Sequence, residues 1–405
     1  MGLIRVKRLV IDEKGASVLK NGQFWCYANN VLSAQGNPKS GDVVKLVRED
    51  GSFIAYAFYS AENHIRARVL SLNPEETIDD AFFRARIQKA VSFRYSIMKE
   101  NFSNCRLVYG ESDGLPGWVL DRYNDVLVSQ ISSAGIERRR EFLFEEVKKI
   151  LKEYGEKITC VYERNEIAAR LKEGLPRYKD YYGESERKES TVISENGVLM
   201  NVDFVHGQKT GYFLDQKENR RIVRSYAKDR RVLDTFTHTG GFAINCAYAG
   251  AKEVTAVDLS PVALIQARKN AELNHLENRI RFVKADVLEY LDQLEKGMFD
   301  LIILDPPAFT KSKRTVEHAY QGYKRINLRA MELLPDGGIL ATCSCSRYME
   351  TELFEKMLEE ASAEAGVKLI PLSVTYQNPD HPVLPEIRST EYLKFLVFRV
   401  EKQKD

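Results

Sequence analysis

From about residue 196 onward, short apolar runs alternate with longer amphipathic stretches, and this pattern constrains the fold more than any other feature. "RRVLDTFTHTGGFAINCAYAGA" reads as a strand, a turn holding Gly240-Gly241, then a helix. "KEVTAVDLSPVALIQARKNAELN" repeats the pattern with a strand ending at Asp258. "IRFVKADVLEYL" ends its strand near Asp286, and "FDLIILDPPAF" ends in Asp305-Pro306-Pro307. The "GGILATCSCS" strand follows the helix "GYKRINLRAMELL". Alternating strands and helices predict a parallel, doubly wound α/β sheet, since each parallel return needs a crossover. Such sheets bind ligands at the carboxyl ends of their strands, where the strand order switches. Asp234, Asp258, Asp286, Asp305 and Cys345 all fall at those ends.

The glycine turn narrows the choice of ligand. An acid at the end of the second strand suits a ribose diol, whose hydroxyls donate to a carboxylate. A nicotinamide dinucleotide would want G-x-G-x-x-G, so that pyrophosphate can lie against the helix N-terminus. The turn here, Thr237-His238-Thr239-Gly240-Gly241-Phe242, lacks that spacing. S-adenosylmethionine fits better, with Asp286 placed to receive the adenine amino group. Singly, each acid could be a helix N-cap, Asp258 before Ser260-Pro261 foremost. Three acids in register at successive strand ends favour the ligand.

A chain of 405 residues exceeds one ordinary core, so two or three domains are expected. With 44% apolar and 29% charged residues the composition is that of a folded chain and excludes a disordered one. No run approaches the roughly 18 to 20 apolar residues of a membrane span. The opening "MGLIRVKRLVIDEKG" carries charges every few residues and lacks a signal peptide's apolar stretch, so a cytoplasmic protein is expected. Cys26, Cys105, Cys160, Cys246, Cys343 and Cys345 are scattered, which argues against a disulfide framework in a reducing compartment. The six histidines form no pair at zinc-ligand spacing, so no metal is expected.

Charge is uneven although the net is only +2. Residues 1–73 hold ten Lys/Arg against six Asp/Glu, a local +4, on short alternating strands such as "GDVVKLVRED", "FIAYAFYS" and "HIRARVLSL". A small basic β-barrel that reads RNA and a plainly solvated β-domain fit this equally. A boundary falls near "SLNPEETIDD", where Asn73-Pro74 turns and Glu75, Glu76 and Asp79 suit a helix start. "AFFRARIQKAVSFRYSIMKEN" then has helical apolar spacing, "RLVYGESDGLPGWVLDRYNDVLVSQIS" reads as a meander of strands, and "IERRREFLFEEVKKILKEYG" reads as one amphipathic helix. Arg138-Arg139-Arg140 could touch phosphate, but a wet helix face is the commoner meaning. This middle segment carries no reaction chemistry and reads as a spacer or substrate platform. The Lys-Thr pair in "HGQKTGYFLDQ" mimics a phosphate loop, but a Walker motif would need Gly where Gln208 and Asp203 stand.

These stretches closely resemble a known family, the bacterial 23S ribosomal RNA cytosine-carbon-5 methyltransferases with an N-terminal PUA domain. The resemblance runs along nearly the whole chain through "IRARV" (65–69), "GESDGLPG" (110–117), "HGQKTGYFLDQ" (206–216), "FTHTGGFA" (236–243), "LDPPAF" (304–309), "SCS" (344–346) and "DHPV" (380–383). It implies a PUA β-barrel over 1–73, a mixed α/β middle domain over 74–195 and a Rossmann-like methyltransferase over 196–405. It also implies that Phe213, Gln216, Asp234, Gly240, Asp258, Asp286 and Asp305 hold S-adenosylmethionine. The expected partner is 23S ribosomal RNA, naked or in a partly assembled large subunit, with no membrane and with a homodimer left open.

By the same resemblance the nucleophile is Cys345. Carbon 5 of cytosine is a poor nucleophile until a thiolate adds to carbon 6 and makes the ring an enamine. Asp305 would hold the exocyclic amine and ring nitrogen 3. Cys343, two positions back and deeper in the sheet, reads as a core filler. Pro306-Pro307 gives a rigid turn that presents Asp305. Many RNA 5-methylcytosine enzymes carry a second Cys where this chain has Pro307, so the base that removes the carbon 5 proton stays unassigned; Tyr320, Tyr323 and Lys324 are the nearest candidates. The run "FTKSKRTVEHAYQGYKR" is either an RNA path or a polar loop. Two other readings stay open: an amino-group methyltransferase acting on guanine or adenine, and an RNA-binding assembly factor without chemistry.

Overall fold

The computed structural model describes residues 7–310, 312–387 and 390–403. Lys311 of the basic-aromatic run and the first six residues of the opening segment lie outside the described residues. The chain divides into two compact units. One holds residues 1–193, 202–214 and 379–390; the other holds 194–201, 215–378 and 391–405. Among the described residues no helix is long and apolar enough to cross a membrane.

The first unit opens with strands β1 (Arg8–Ile11), β2 (Trp25–Tyr27), β3 (Val31–Gln35), β4 (Val43–Val47), β5 (Phe53–Tyr59) and β6 (Ile65–Ser71), with helix α1 (Glu13–Lys20) after β1. They form one mixed sheet in the order β2-β6-β5-β4-β1-β3. Helix α2 (Asp80–Met98) follows, started by Asp79, whose carboxylate accepts from the Phe82 N–H at 3.0 Å. Strands β7 (Asn104–Tyr109), β8 (Trp118–Tyr123) and β9 (Val126–Ile131) are the expected antiparallel meander. Strands β10 (Cys160–Asn165) and β11 (Tyr178–Tyr181) extend that sheet.

The single helix expected over residues 136–155 is two helices, α3 (Ala134–Glu137) and α4 (Arg140–Glu153). The cause is tertiary. A side chain on Gly135 would reach within 2.2 Å of the Phe58 ring, so the short turn of α3 is seated directly on β5. Of the three arginines at the break, Arg138 stays exposed, as a wet helix face predicts, while Arg139 and Arg140 are partly buried, and all three have partners within the protein. Arg138 pairs with Asp42 at 2.8 Å, and Arg139 lies over the rings of Phe58 and Phe83. Arg140 donates to the Tyr178 hydroxyl at 2.7 Å.

Three of the motif stretches also meet in this unit. Arg68 of "IRARV" reaches Glu111 of "GESDGLPG" at 3.1 Å and Glu173 at 3.3 Å. Arg94 clamps Asp113 through two bonds and donates to the Asp380 carbonyl of "DHPV" at 2.9 Å. These buried charges are each paired, as burial requires. Their work is architectural.

Strands β12 (Ser190–Glu195) and β13 (Val198–Asp203) form a two-stranded sheet. In the second unit helix α5 (Lys217–Arg224) precedes the expected alternation: β14 (Arg231–Thr235), α6 (Gly241–Tyr248), β15 (Glu253–Asp258), α7 (Pro261–Leu273), β16 (Ile280–Lys284), α8 (Val287–Asp292), β17 (Leu301–Leu304), α9 (Val316–Leu333) and β18 (Gly338–Ser344). Helix α10 (Thr351–Glu364) leads into β19 (Val367–Thr375) and β20 (Lys394–Lys402). The sheet order is β16-β15-β14-β17-β18-β20-β19, with β16 to β18 all parallel and β20 antiparallel to β18. The order therefore switches between β14 and β17, where a doubly wound sheet opens its crevice. Strand β17 is fully buried, and α9 packs Tyr323, Ile326, Ala330 and Met331 into the same core.

Candidate active site

Asp234 sits on β14 level with Ala256 and Ile303 of the flanking strands. Its side chain is fully buried. One carboxyl oxygen accepts from the Thr237 hydroxyl at 2.5 Å and the Ala243 N–H at 2.9 Å, while the other has no partner among the described residues. Desolvation pushes the group up to about 7, and the nearby Asp305 and Asp258 add to the rise.

The turn after β14 is strained. Phe236, His238 and Gly240 all have positive φ, at 56°, 50° and 85°. Non-glycine residues in that region are held there by their surroundings, most often at binding sites. At Gly240 a Cβ would stand 3.0 Å from Ile244 and 3.2 Å from Ala267, so glycine is required by both angle and space.

Asp258 ends β15 and uses both oxygens: it accepts from His238 N–H at 2.9 Å and Ser260 N–H at 2.8 Å. It is not the cap of α7. That role falls to Ser260, with Pro261 in the first helical position. Asp286 is the acid that caps a helix, accepting from Leu288 and Glu289 N–H groups at the start of α8 through one oxygen. It is exposed.

Asp305 lies one residue beyond β17 and Cys345 one beyond β18. Gln216, buried just before α5, donates to Asp305 at 3.0 Å and accepts from Asn219 at 2.7 Å. The Cys343 thiol donates to the same Asp305 oxygen at 2.9 Å. Cys343 is thus more than a core filler: it helps fix the carboxyl. Asp305 keeps some exposed surface, yet its carboxyl is set among buried groups, and desolvation raises it to about 6 against the bonds from Cys343 and Gln216. Cys345 is half-buried, its sulfur 3.8 Å from the Pro306 carbonyl, whereas the other five cysteines are buried. Phe213 belongs to the first unit, where Lys209 stands over its ring at 4.6 Å.

The second unit thus brings Asp234, Gly240, Asp258, Asp286, Asp305, Gln216 and Cys345 to one edge of one sheet. Of the residues considered as a base, Tyr323 donates or accepts at Ser346 Oγ (2.9 Å), next to Cys345. Lys324 is turned away, paired with Glu364 at 3.0 Å and Glu360 at 3.5 Å. One buried cation is absent from the sequence reading. Lys394 opens β20 opposite Ser344, and its ammonium donates to the Ser346 and Tyr392 carbonyls at 2.9 and 3.1 Å. Its only sequence signal is a charge at the head of the otherwise apolar "KFLVF".

Comparison with known proteins gives this arrangement a family. Residues 178–399 match the S-adenosylmethionine-dependent methyltransferases, and residues 9–72 match the PUA-like domain. The "Ribosomal RNA large subunit methyltransferase I" of Aeromonas salmonicida is 42% identical, covering 93% of this chain and 94% of that protein. The Escherichia coli protein of the same name is 37% identical, covering 97% and 99%. A solved chain from Streptococcus mutans, described as a SAM-dependent methyltransferase, has the same fold at TM-score 0.79 and 22% identity, covering 97% of this chain and 99% of its own. A methyltransferase solved with SAH reaches TM-score 0.81 over the same shares, also at 22% identity. The chain belongs to the S-adenosylmethionine-dependent methyltransferase family, within the group of ribosomal RNA large subunit methyltransferases I, and carries a PUA-like domain.

The residues present fit that cofactor. A buried carboxyl oxygen without a partner among the described residues, a strained glycine turn and acids at three neighbouring strand ends give acceptors for the amino and hydroxyl donors of a nucleoside.

Proposed function

We propose that the protein methylates carbon 5 of a cytosine in 23S ribosomal RNA, with Cys345 as nucleophile. The observation that carries the reading is the position of Cys345: the most accessible thiol of the chain, at a strand end, against the Asp305-Pro306-Pro307 turn. The ribosomal RNA substrate is taken from the names of the relatives.

When bound, S-adenosylmethionine supplies an electrophilic methyl group on a sulfonium. The remaining steps fall to side chains and base. Cys345 as thiolate forms a bond to carbon 6, and the carbon 5–carbon 6 π pair moves into the ring. Asp305, with its carboxyl near 6, can give a proton to ring nitrogen 3 while accepting from the exocyclic amine, which neutralises that charge. Carbon 5, made electron-rich in this way, is the atom that would receive the methyl group. Removal of the carbon 5 proton restores the double bond, expels the Cys345 thiolate and returns the nitrogen 3 proton to Asp305. Asp234, Gly240, Asp258 and Asp286, with Gln216, are the proposed cofactor-holding set of the second unit. Residues 1–73, 74–195 and 196–405 would serve as RNA-binding, platform and catalytic segments.

The amino-group alternative wants the aromatic after D-P-P free to stack on a base. Phe309 instead packs on Tyr323, with ring centroids 4.6 Å apart. The test uses RNA carrying 5-fluorocytosine, whose carbon 5 substituent cannot leave as a proton. A covalent complex through Cys345 is expected, and Cys345→Ala should abolish methyl transfer with cofactor binding intact. Normal methylation by Cys345→Ala, or an adduct on Cys343, would overturn the reading.

A further inference from the structure

Lys394 is a buried lysine, about 3% exposed, at the end of a strand. Buried ammonium groups normally pair with a carboxylate, yet Lys394 forms no ion pair with one among the described residues. Two of its three N–H groups go to the Ser346 and Tyr392 carbonyls. The Ser346 carbonyl directly follows Cys345 in the chain, and β20 is in register so that Lys394 faces Ser344. The register puts Lys394 on the face of Ser344, and its bond to the Ser346 carbonyl brings the ammonium to the backbone next to Cys345, whose charge it feels. Tyr323 approaches the same place from α9, its hydroxyl on Ser346 Oγ at 2.9 Å.

We propose that Lys394 is the positioning residue for Cys345: its ammonium holds the Cys345 sulfur as a thiolate before RNA arrives. The inference rests on the reading of Cys345 as nucleophile and supplies the charge that this reading requires. A cation beside a half-exposed thiol raises its thiolate fraction at neutral pH, and the thiol proton leaves to water while Lys394 stays charged. The other groups acting on this pair are Cys343 on β18, Tyr323 on α9, and Glu350 and Glu391. Burial pushes Lys394 down to about 8, while Cys345, Glu391, Cys343 and Glu350 favour its charged form. The cation costs the fold solvation, which a purely structural position would avoid with an apolar residue.

The test is alkylation, which needs neither RNA nor cofactor. Full-length protein is treated with iodoacetamide from pH 5.5 to 9.5, and modification at Cys345 is located by peptide fragmentation. In the wild type the rate should level off below the pH of an ordinary cysteine. Lys394→Met should shift that profile up by about one unit, an approximately tenfold slower reaction at pH 7, and Lys394→Arg should restore most of the rate. Melting curves and S-adenosylmethionine binding report whether each variant folds. A Lys394→Met protein that folds and keeps the wild-type profile would overturn the proposal. So would a wild-type Cys345 that titrates like free cysteine, whatever the variants do. Failure of the nucleophile reading has a different mark: Cys345→Ala would methylate normally while the wild-type alkylation profile stayed shifted.

Discussion

Asp234 and Asp305 carry the clearest consequence at the level of single residues. Their carboxyls are raised to about 7 and about 6 in the folded protein, against an unfolded value of about 3.9. The folded chain therefore holds protons that the unfolded chain releases. By linkage, the stability these groups contribute is full below about pH 4 and is lost as pH rises through about 6 to 7. Asp234→Asn removes one titration while keeping an acceptor for Thr237 and Ala243. We expect it to melt higher than the wild type at pH 8, to match it near pH 4, and to bind the cofactor less well. Melting curves at the two pH values check this; an unchanged pH dependence would refute the assignment. Asp258 gives a second residue-level test. Its carboxylate joins the glycine turn to the start of α7. Asp258→Ala should weaken S-adenosylmethionine binding by roughly 1 to 3 kcal/mol, the cost of an unpaired buried polar group, as read by calorimetry on protein that still melts cooperatively.

Among the elements, the turn from β14 into α6 is the most demanding. Gly240 and Gly250 have nearly equal φ, 85° and 86°, but a Cβ at Gly250 meets nothing within 4 Å. Gly250→Ala should thus show the conformational cost alone, about 1 to 2 kcal/mol. Gly240→Ala should cost more, because Ile244 and Ala267 must also move, and it should lose cofactor affinity. Equal drops in melting temperature would mean the packing around Gly240 is soft. This turn is legible in the amino-acid sequence, since two glycines between a strand and a helix have few other uses. The acids at strand ends are legible for the same reason: alternation fixes where each strand stops. Other features are not. The break between α3 and α4 depends on Phe58, far away in the chain, and local periodicity cannot see it. Gln216 meets Asp305 and Cys343 across 89 and 127 positions, so its turning inward belongs to packing alone. Lys394 lies on the antiparallel strand β20, whose place beside β18 rests on a register that no short motif records.

At the scale of the whole molecule, the question is how a chain of net charge +2 would hold RNA. The excess of positive charge lies in the first 73 residues, and deleting them is the obvious test. The structure argues against that experiment. Phe58 and Leu70 share one core with Phe82, Phe83, Trp118 and Ile136, and Arg68 is buried against Glu173. Removing the sheet would expose that core and leave Glu173 without its partner, so a fall in RNA binding would report misfolding. Point substitutions avoid this. Arg8, Lys20 and Lys39 are exposed and form no ion pair among the described residues, so replacing them should hardly affect stability. If the PUA-like sheet binds RNA backbone, Arg8→Ala, Lys20→Ala and Lys39→Ala together should lower affinity. They should also flatten the dependence of log K on log salt, by roughly 0.7 for each phosphate of a single strand that is no longer neutralised. S-adenosylmethionine affinity should stay at the wild-type value, because the acids proposed to hold the cofactor lie at the strand ends of a different sheet. Filter binding at several salt concentrations would decide it. An unchanged slope in the triple variant would exclude these three cations from the RNA-binding surface.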